Sequence, residues 1–406
     1  MSLATNDVSS APSVERMNAA ERRASTSLAL VQSLRMLGLF LVLPVLAVHA
    51  RSLPNGDDAR LVGLALGIYG LTQALLQLPL GLASDRFGRK PVIAAGLLVF
   101  ALGSFVAAGA SDLTAIIIGR ALQGAGAISA AIGAFVADST RENQRTKAMA
   151  LVGISIGAMF ALSLIIAPPL YRWVGVSGMF ALTGVLALAA IAWVVLGVPS
   201  VARAGPMSLS RAGFAQVLAH PDLWRLNLGI GVLHAVQVGV FVVLPGWLVE
   251  RAGLALGDHW LIYLPVVLLS FAPMMPALGW GERRGRMRIV FLGSVAALVA
   301  VQIVLLTQPQ GLVPFAVLLF VFFAAFNILE ASLPSMVSRL APSALRGAAL
   351  GLFNTTQSLG LFTGGALAGW LHASWGDRAV FGLALLALGV WLLAAMRHRQ
   401  WPGRSS

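Results

Sequence analysis

The segment Gly81-Leu-Ala-Ser-Asp85-Arg86-Phe-Gly88-Arg89-Lys90-Pro91 lies between two long apolar runs, residues 61–83 and 92–110. A run of about 20 mostly apolar residues is long enough to cross the hydrocarbon core of a bilayer as a helix. Between two such runs there is room only for a short connection, and this one is rich in charge and glycine. The segment therefore predicts a tight charged loop joining two transmembrane helices at one membrane surface.

The same arrangement returns in the second half of the chain as Glu282-Arg283-Arg284-Gly285-Arg286. Acid, Arg, Gly and Arg recur at a constant interval of 197 residues, about half of the 406-residue chain. A repeat of this length is typical of transporters built from two related halves with a binding site between them. The alternative, that any short loop collects Arg and Gly, does not explain why the acid stays in register.

The composition excludes an ordinary soluble protein. Hydrophobic residues make up 58% of the chain and charged residues 11%, whereas roughly a quarter of the residues of a soluble domain are charged. The net charge of +13 does not indicate a nucleic-acid partner, because the basic residues come in groups of two to four between apolar runs rather than on one face. The chain has no cysteine, so disulfides and thiolate metal sites are excluded.

Twelve apolar runs are long enough to span a membrane. Their limits are 26–49, 61–83, 92–110, 113–138, 148–170, 178–198, 226–249, 260–279, 289–307, 313–337, 347–371 and 379–396. Strands of a β-barrel would be near ten residues long with alternating polarity, which these runs do not show. The predicted fold class is all-α integral membrane, with twelve transmembrane helices in two pseudo-symmetric six-helix bundles.

The positive charges give the predicted orientation. With the N-terminus in the cytoplasm, 21 of the 28 Lys and Arg residues fall in cytoplasmic segments, five in outer loops and two inside spans. Because Lys and Arg accumulate in cytoplasmic loops, both termini are predicted to be cytoplasmic in a bacterial-type inner membrane. A short surface helix is expected near 211–219. The predicted units are a tail 1–25, a bundle 26–198, a linker 199–225, a bundle 226–396 and a tail 397–406.

With these motifs the chain resembles the major facilitator superfamily over essentially its whole length. The loop that begins at Gly81 is similar to that superfamily's most specific signature. The fourth span, with Arg120-Ala-Leu-Gln123-Gly124-Ala-Gly126-Ala127, resembles the motif of proton-driven members. Two further stretches resemble the proton-coupled drug-efflux branch and, within it, YajR-like members. They are Ser33-Leu-Arg35-Met-Leu-Gly38 and Gly67-Ile-Tyr69-Gly70-Leu-Thr-Gln73.

The resemblance implies a secondary active transporter that exports a small lipophilic solute or drug by proton antiport and alternating access, and that is not an enzyme. The fifth span departs from the branch, because Ala167-Pro168-Pro169 stands where Gly-Pro is usual. A proton symporter or uniporter importing a small metabolite therefore stays an alternative, as does a non-transporting receptor or membrane enzyme. The hydrolase-like Gly153-Ile-Ser155-Ile-Gly157 lies inside a span, where small residues serve helix packing.

The resemblance also implies roles in the first loop motif. Asp85 would face the start of the eleventh helix near Gly347, where a helix N-terminus stabilises a carboxylate by about 0.3–1 kcal/mol. Arg89 would bridge Asp85 to Asp138, and we hypothesise that this cluster latches the two halves together in the outward-facing state. The alternative is that the cations only anchor topology. The predicted gating residues are Gly81, Asp85, Arg86, Gly88, Arg89, Lys90 and Asp138.

Ionisable residues at membrane depth are costly and usually face a cavity or a partner. Glu330 in the tenth span and His234 in the seventh each lie nine residues inward from a basic residue at the border, about 14 Å deep. By resemblance both helices line the central cavity, so the pair is our hypothesis for a proton site, with Gln237 and Asn327 one turn away. The alternative is a structural hydrogen bond and a satisfied core histidine.

Two arginines also lie inside spans. Arg35 occupies a position that corresponds to His234 at an interval of 199 residues, and a cavity role and a structural role both remain open. Arg120, with Gln123 and Gly124, belongs to the fourth-span motif and is predicted to be functional. No cofactor or metal is expected beyond the proton as coupling ion. The expected partners are a small-molecule substrate and the lipid bilayer, with no nucleic acid, and the chain is expected to be a monomer.

Overall fold

The computed structural model describes residues 17–199, 211–342, 345–398 and 401, and within them all regular structure is helical. Two of the helices are short 3-10 turns, Ala50–Ser52 and Leu256–Asp258. The α-helices are α1 (Ala19–Phe40), α2 (Leu43–His49), α3 (Ala59–Phe87), α4 (Arg89–Ala108), α5 (Leu113–Ala125), α6 (Ser129–Asp138), α7 (Glu142–Leu196), α8 (Arg211–Ala219), α9 (Pro221–Glu250), α10 (Trp260–Ser270), α11 (Met274–Arg283), α12 (Met287–Leu306), α13 (Leu312–Leu340), α14 (Arg346–Trp375) and α15 (Asp377–Met396).

These helices make twelve spans. Ten stretches of the described chain are long and apolar enough to cross a membrane, and one of them, Lys147–Leu196, covers two spans in succession. The 30-residue α14 is the twelfth. The pairs α1 with α2, α5 with α6, and α10 with α11 each form one span that is broken in the middle. We call α1–α7 the N-terminal half and α9–α15 the C-terminal half.

The breaks depart from the predicted continuous runs 26–49, 113–138 and 260–279. The first lies at residues 41–42, just before Pro44 in the first turn of α2. The third lies at residues 271–273, where Pro273 caps α11. Proline removes a backbone donor and disfavours helix in the residue before it. The second break follows Gly126, whose ψ of 42° ends α5.

The fifth and sixth spans both lie in α7 and are separated by a kink at Gly175, which has φ 64° and ψ −178°. Gly376, between α14 and α15, has nearly the same conformation, with φ 76° and ψ −174°. A side chain would be strained at either position. The two glycines lie 201 residues apart, so the two halves repeat this junction as well as the charged loop.

The helix limits differ from the predicted units at the ends and in the linker. The first helix begins at Ala19, inside the predicted tail, and α9 begins at Pro221 rather than 226. The short helix expected near 211–219 is present as α8. Residues 1–16, 200–210, 399–400 and 402–406 of the predicted tails and linker lie outside the described residues.

The two halves meet along α3 and α14, and glycine brings their backbones into contact. A Cβ placed on Gly63 would lie 2.2 Å from the carbonyl oxygen of Gly365, and one on Gly70 would lie 2.3 Å from that of Ser358. Toward the other end of α14, a Cβ on Gly351 would meet nothing within 4 Å. The close contact therefore covers only part of the length of the two helices.

Ion pairs at the two membrane surfaces differ in what they join. We call the surface with the loop 85–90 the motif face and the other the opposite face. On the opposite face Arg51 pairs with Glu250, and Arg172 pairs with Asp258 at 2.8 Å, and these two pairs join the halves. A third pair on that face, Arg251 with Asp377 at 3.7 Å, lies within the C-terminal half. On the motif face the described ion pairs lie within one half each: Glu21–Arg141 and Asp85–Arg89–Asp138 in the N-terminal half, Asp222–Arg225 and Glu282–Arg339 in the other.

Candidate functional site

The first loop motif forms a partly buried network within the N-terminal half. Arg89 donates from Nε to Asp138 at 2.8 Å, from Nη1 to the Ser84 hydroxyl at 2.7 Å, and to Asp85. The side chains of the ion pairs are only 14–23% exposed, so these charge-assisted bonds are poorly screened by water. Arg89 thus contacts both carboxylates. The expected contact of Asp85 with the start of α14 stays a prediction.

The other loop residues shape the turn. Gly88 ends α3 and begins α4 with φ 101°, a conformation that a side chain would strain. A Cβ on Gly81 would lie 3.3 Å from Ala130 of α6, so the absence of a side chain permits this approach. Arg86 lies 5.4 Å from the Phe87 ring centroid, and Lys90 donates to the Val195 carbonyl at 3.4 Å.

Arg120, Gln123 and Gly124 of the fourth-span motif are buried. Arg120 donates to Gln123 at 3.0 Å and to the Ala65 carbonyl of α3 at 3.4 Å, and Gln123 donates to Ser104 of α4 at 2.8 Å. A Cβ on Gly124 would lie 2.2 Å from the Tyr69 carbonyl oxygen. The motif therefore ties three helices of the N-terminal half together, with a permanently charged guanidinium at their centre.

Glu330 and His234 come together between α9, α13 and α14. Their nearest side-chain atoms, Oε2 and Nε2, are 3.8 Å apart. Gln357 of α14 lies between them, with its amide nitrogen 2.8 Å from His234 Nε2 and 3.3 Å from Glu330 Oε1. The Ile230 carbonyl lies 3.2 Å from His234 Nδ1. If that nitrogen carries the proton of a neutral imidazole, Nε2 is left to accept from Gln357.

Glu330 has access to its surroundings that His234 lacks. The Glu330 side chain is 31% exposed and the His234 side chain 4%. Glu330 Oε2 has no hydrogen-bond partner in the described chain. A partly exposed acidic side chain at this depth, whose one described hydrogen bond comes from a neutral amide, is suited to take up and release a proton.

The two flanking amides do not join this pair. Asn327 donates to the Ser270 hydroxyl of α10 at 3.0 Å, so it links α10 to α13. Gln237 is buried, and its Oε1 has no hydrogen-bond partner among the described residues. The sequence interval placed both one turn from the pair, but a shared helix face does not fix the direction of a long side chain.

Arg35 is bound by neutral groups at the boundary between the halves. It donates to Ser129 at 3.0 Å and to Gln73 at 2.8 Å, and Gln73 donates to Ser358 of α14 at 2.8 Å. Since Ser358 follows Gln357 in the chain, the contacts of Arg35 and of Glu330 converge on neighbouring residues of one helix.

The residues that sequence reasoning did not assign to the site share one property: they are polar side chains inside apolar helices. They are Tyr69, Gln73, Ser129, Gln357 and Ser358. Such residues at membrane depth usually make contacts between helices. A search for polar residues without charge would have drawn attention to them, although not to their partners.

The match to the Major Facilitator Superfamily model covers residues 28–365. The chain therefore belongs to the major facilitator superfamily. It is a multi-pass membrane transporter and not an enzyme, and the predicted fold class and family are confirmed.

Individual relatives agree with this assignment. The chain is 41% identical to the inner membrane transport protein YajR of Escherichia coli over 394 residues, which cover 96% of this chain and 86% of that protein. The predicted likeness to YajR-like members is thus confirmed. This chain is also 29% identical to the multidrug resistance protein MdtH of Aeromonas hydrophila, over 85% of this chain and 86% of that protein.

A solved structure supports the fold. The crystal structure of a single-residue mutant of the nucleoside transporter NupG superposes with a TM-score of 0.72 over 93% of this chain and 100% of that one, at 13% identity. At this identity the match supports the fold alone.

Proposed function

We propose that this transporter couples the movement of protons to the export of a small lipophilic solute, with Glu330 as the group that carries the proton. The observation that carries the proposal is the contact of Glu330 and His234 through Gln357, at membrane depth and at the boundary of three helices. An acid in this setting changes its charge with a single proton. That change alters its attraction for the α14 amide, and α14 also packs against the other half.

We propose that the motif face is cytoplasmic and that both termini lie there, in a bacterial-type inner membrane. The support is the distribution of Lys and Arg, with 21 of 28 on that side. With this orientation, the ion pairs and glycine contacts that join the halves lie toward the outside. The structure would then correspond to an inward-facing state, in which the substrate site opens to the cytoplasm.

In this scheme the loop network acts when the cytoplasmic side closes. Asp85, Arg89 and Asp138 are bound to one another within the N-terminal half here. In the outward-facing state we propose that Asp85 meets the N-terminal end of α14, where the helix dipole favours a carboxylate. The cluster would thus latch the halves in one state and stay self-contained in the other.

Export by antiport is supported by the drug-efflux motifs in the first two spans and by the relative named as a multidrug resistance protein. The proposed partners are one small-molecule substrate and the bilayer, with the chain acting as a monomer and the proton as coupling ion. The second candidate is a proton symporter or uniporter. It is favoured by Ala167-Pro168-Pro169 in the fifth span and by Arg35, which is buried without an acidic partner among the described residues.

The proposal is tested by Glu330→Gln in purified protein reconstituted into liposomes with an imposed pH gradient. Proton flux is followed with a pH-sensitive dye inside the vesicles while a panel of lipophilic compounds is added one at a time. We expect gradient-driven transport of any active compound to fall at least 100-fold, because the amide cannot take up a proton, while compound binding persists.

The matched control is Glu282→Gln, which removes an acid that is 53% exposed on the surface. It should transport as the wild type does. Gradient-driven transport with an unchanged pH dependence in Glu330→Gln would reject Glu330 as the proton carrier.

A further inference from the structure

The N-terminal half holds two buried positive charges close to one aromatic ring. The guanidinium carbons of Arg35 and Arg120 lie 5.5 and 5.0 Å from the centroid of the Tyr69 ring. Arg35 is 1% exposed, and both Arg120 and Tyr69 are fully buried. Arginine stays protonated at any pH that a cell experiences, so this centre carries two full charges at membrane depth.

Neither charge meets a counter-charge among the described residues. Within residues 17–199, 211–342, 345–398 and 401, Arg35 and Arg120 form no ion pair, and their hydrogen bonds go to hydroxyl, amide and carbonyl oxygens. Three polar atoms of the cluster have no hydrogen-bond partner in the part of the chain that the structure describes: Arg35 Nε, Arg120 Nη2 and the Tyr69 hydroxyl. Buried charge without a counter-charge is costly in a membrane. An ionisable side chain at membrane depth is therefore a candidate functional site.

Arg35 also lies on the route between the halves. It contacts Ser129 at the start of α6, directly after the break between α5 and α6, where the backbone is not held in a helix. Through Gln73 it reaches Ser358 of the C-terminal half. Arg35 therefore lies where the two halves meet.

A buried cluster of aromatic rings from both halves begins close to Arg35 in the chain. Phe40, about one and a half turns after Arg35, contacts Phe160 with ring centroids 5.0 Å apart, and Phe160 contacts Phe326 of α13 at 5.7 Å. Phe326 is in turn 5.7 Å from His234. Aromatic rings thus connect the arginine side of the boundary to the proton-site side.

We propose that Arg35, supported by Arg120 and Tyr69, binds the negatively charged group of the transported solute, and that the solute is a small organic anion with an apolar body, such as an aromatic carboxylate. The inference rests on the proposed proton-coupled transport and names its substrate class. A carboxylate matches the fork of a guanidinium. A lipophilic cation would instead approach two unshielded positive charges.

The test compares three probes of the same shape on the purified full chain: 1-naphthoate, 1-naphthylmethylammonium and 1-naphthylmethanol. Their binding is followed by fluorescence in lipid nanodiscs at fixed pH and salt. We expect naphthoate to bind the wild-type protein at least tenfold more tightly than either other probe. In Arg35→Gln that preference should disappear, and in Arg35→Lys part of it should return, because lysine supplies the charge without the planar fork.

Arg172→Gln is the control, since Arg172 is 61% exposed on the opposite face, and it should keep the preference. The wild-type comparison needs no variant, so it decides the matter even if Arg35→Gln does not fold. Naphthoate binding no tighter than the alcohol, or a preference that survives in folded Arg35→Gln, would overturn the proposal.

The outcome is separable from that of the proton carrier. Glu330→Gln should keep the preference for naphthoate while losing gradient-driven transport. If the ammonium probe binds best and its transport depends on Glu330, the anion site is wrong and the proton-coupled function stands. If naphthoate binds through Arg35 but is moved with no dependence on Glu330, the anion site stands and the proton carrier is wrong.

Discussion

The two halves carry the same loop motif 197 residues apart, yet they use it differently. Both copies turn on a glycine with positive φ, 101° at Gly88 and 64° at Gly285. In the N-terminal copy, Arg89 binds two carboxylates that are 14–23% exposed. In the C-terminal copy, the matching Arg286 lies 5.7 Å from the Trp280 ring, and Glu282 pairs with Arg339 where both are about half exposed.

This difference shows what a repeated motif does and does not specify. The glycine and the sign of the charges specify a turn at the membrane surface in both halves. Burial then decides whether the charges form a network, because an exposed pair contributes about 0–1 kcal/mol and removing one partner from a buried pair costs about 3–5 kcal/mol. The centres of the halves differ in the same way, with two arginines in one and an acid with a histidine in the other.

The largest difference between the two copies should be the loss of stability caused by Arg89→Gln in the N-terminal copy. The change leaves Asp85 and Asp138 close together without their shared cation, at a cost of about 2 kcal/mol once partial exposure is allowed for. We expect the apparent Tm of the purified protein to fall by about 2 °C. The measurement is thermal unfolding followed by intrinsic tryptophan fluorescence.

The matched control is Arg286→Gln in the C-terminal copy, whose side chain is exposed. It should change the free energy of unfolding by less than about 0.5 kcal/mol. Equal losses in the two variants would show that the copies are equivalent and that burial does not distinguish them.

Smaller effects are expected from substituting two glutamines, Gln357 beside Glu330 and Gln73 beside Arg35. Gln357→Leu removes the amide between His234 and Glu330, and we expect gradient-driven transport to fall about tenfold, which corresponds to the loss of about 1.4 kcal/mol of hydrogen bonding. Transport is measured in liposomes as for Glu330→Gln.

Gln73→Leu is its counterpart in the N-terminal half. It should weaken the preference for the naphthoate probe and leave the dependence of transport on pH in place, because Gln73 contacts Arg35 and not Glu330. If each variant impaired both properties equally, the two centres would not be separable.

The smallest effect should come from the ion pairs on the opposite face. Arg51→Glu places two carboxylates together where Arg51 and Glu250 are each 50% exposed, so we expect a two- to fivefold shift toward the state open on that face. Because the chain has no native cysteine, spin labels at Asp57→Cys and Ala255→Cys report the distance between the halves. Adding Glu250→Arg should restore the original distribution, and a failure to restore it would point to a cause other than this pair.

Most of the fold could be predicted because long apolar runs and their flanking charges are read directly from the sequence. The breaks within spans were less accessible, although Pro44 and Pro273 signalled two of them. The kink at Gly175 lies in the gap between the predicted runs 148–170 and 178–198. Counting residues inward from the border placed Glu330 and His234 at equal depth, and the structure places them 3.8 Å apart.

The remaining site residues depend on contacts between distant helices. Nothing local indicates that Gln357 lies between Glu330 and His234, or that Gln73 connects Arg35 to Ser358, since these contacts join helices 27 to 285 residues apart in the chain. Asn327 is a case in which spacing misleads. Its position one turn from Glu330 suggested a place in the proton site, but its amide donates to Ser270. Depth can be counted along a helix, but side-chain direction is decided by packing.

The glycine contact of α3 with α14 bears on how easily the halves separate. Where two backbones touch without intervening side chains, as at Gly63 with Gly365 and Gly369, no rotamers have to be released or refilled when the surfaces part. Such a surface can separate without any side chain leaving a pocket on the facing helix. The work of opening is then concentrated in the few charged residues at the rim, which leaves the rate of the cycle open to adjustment by single substitutions there.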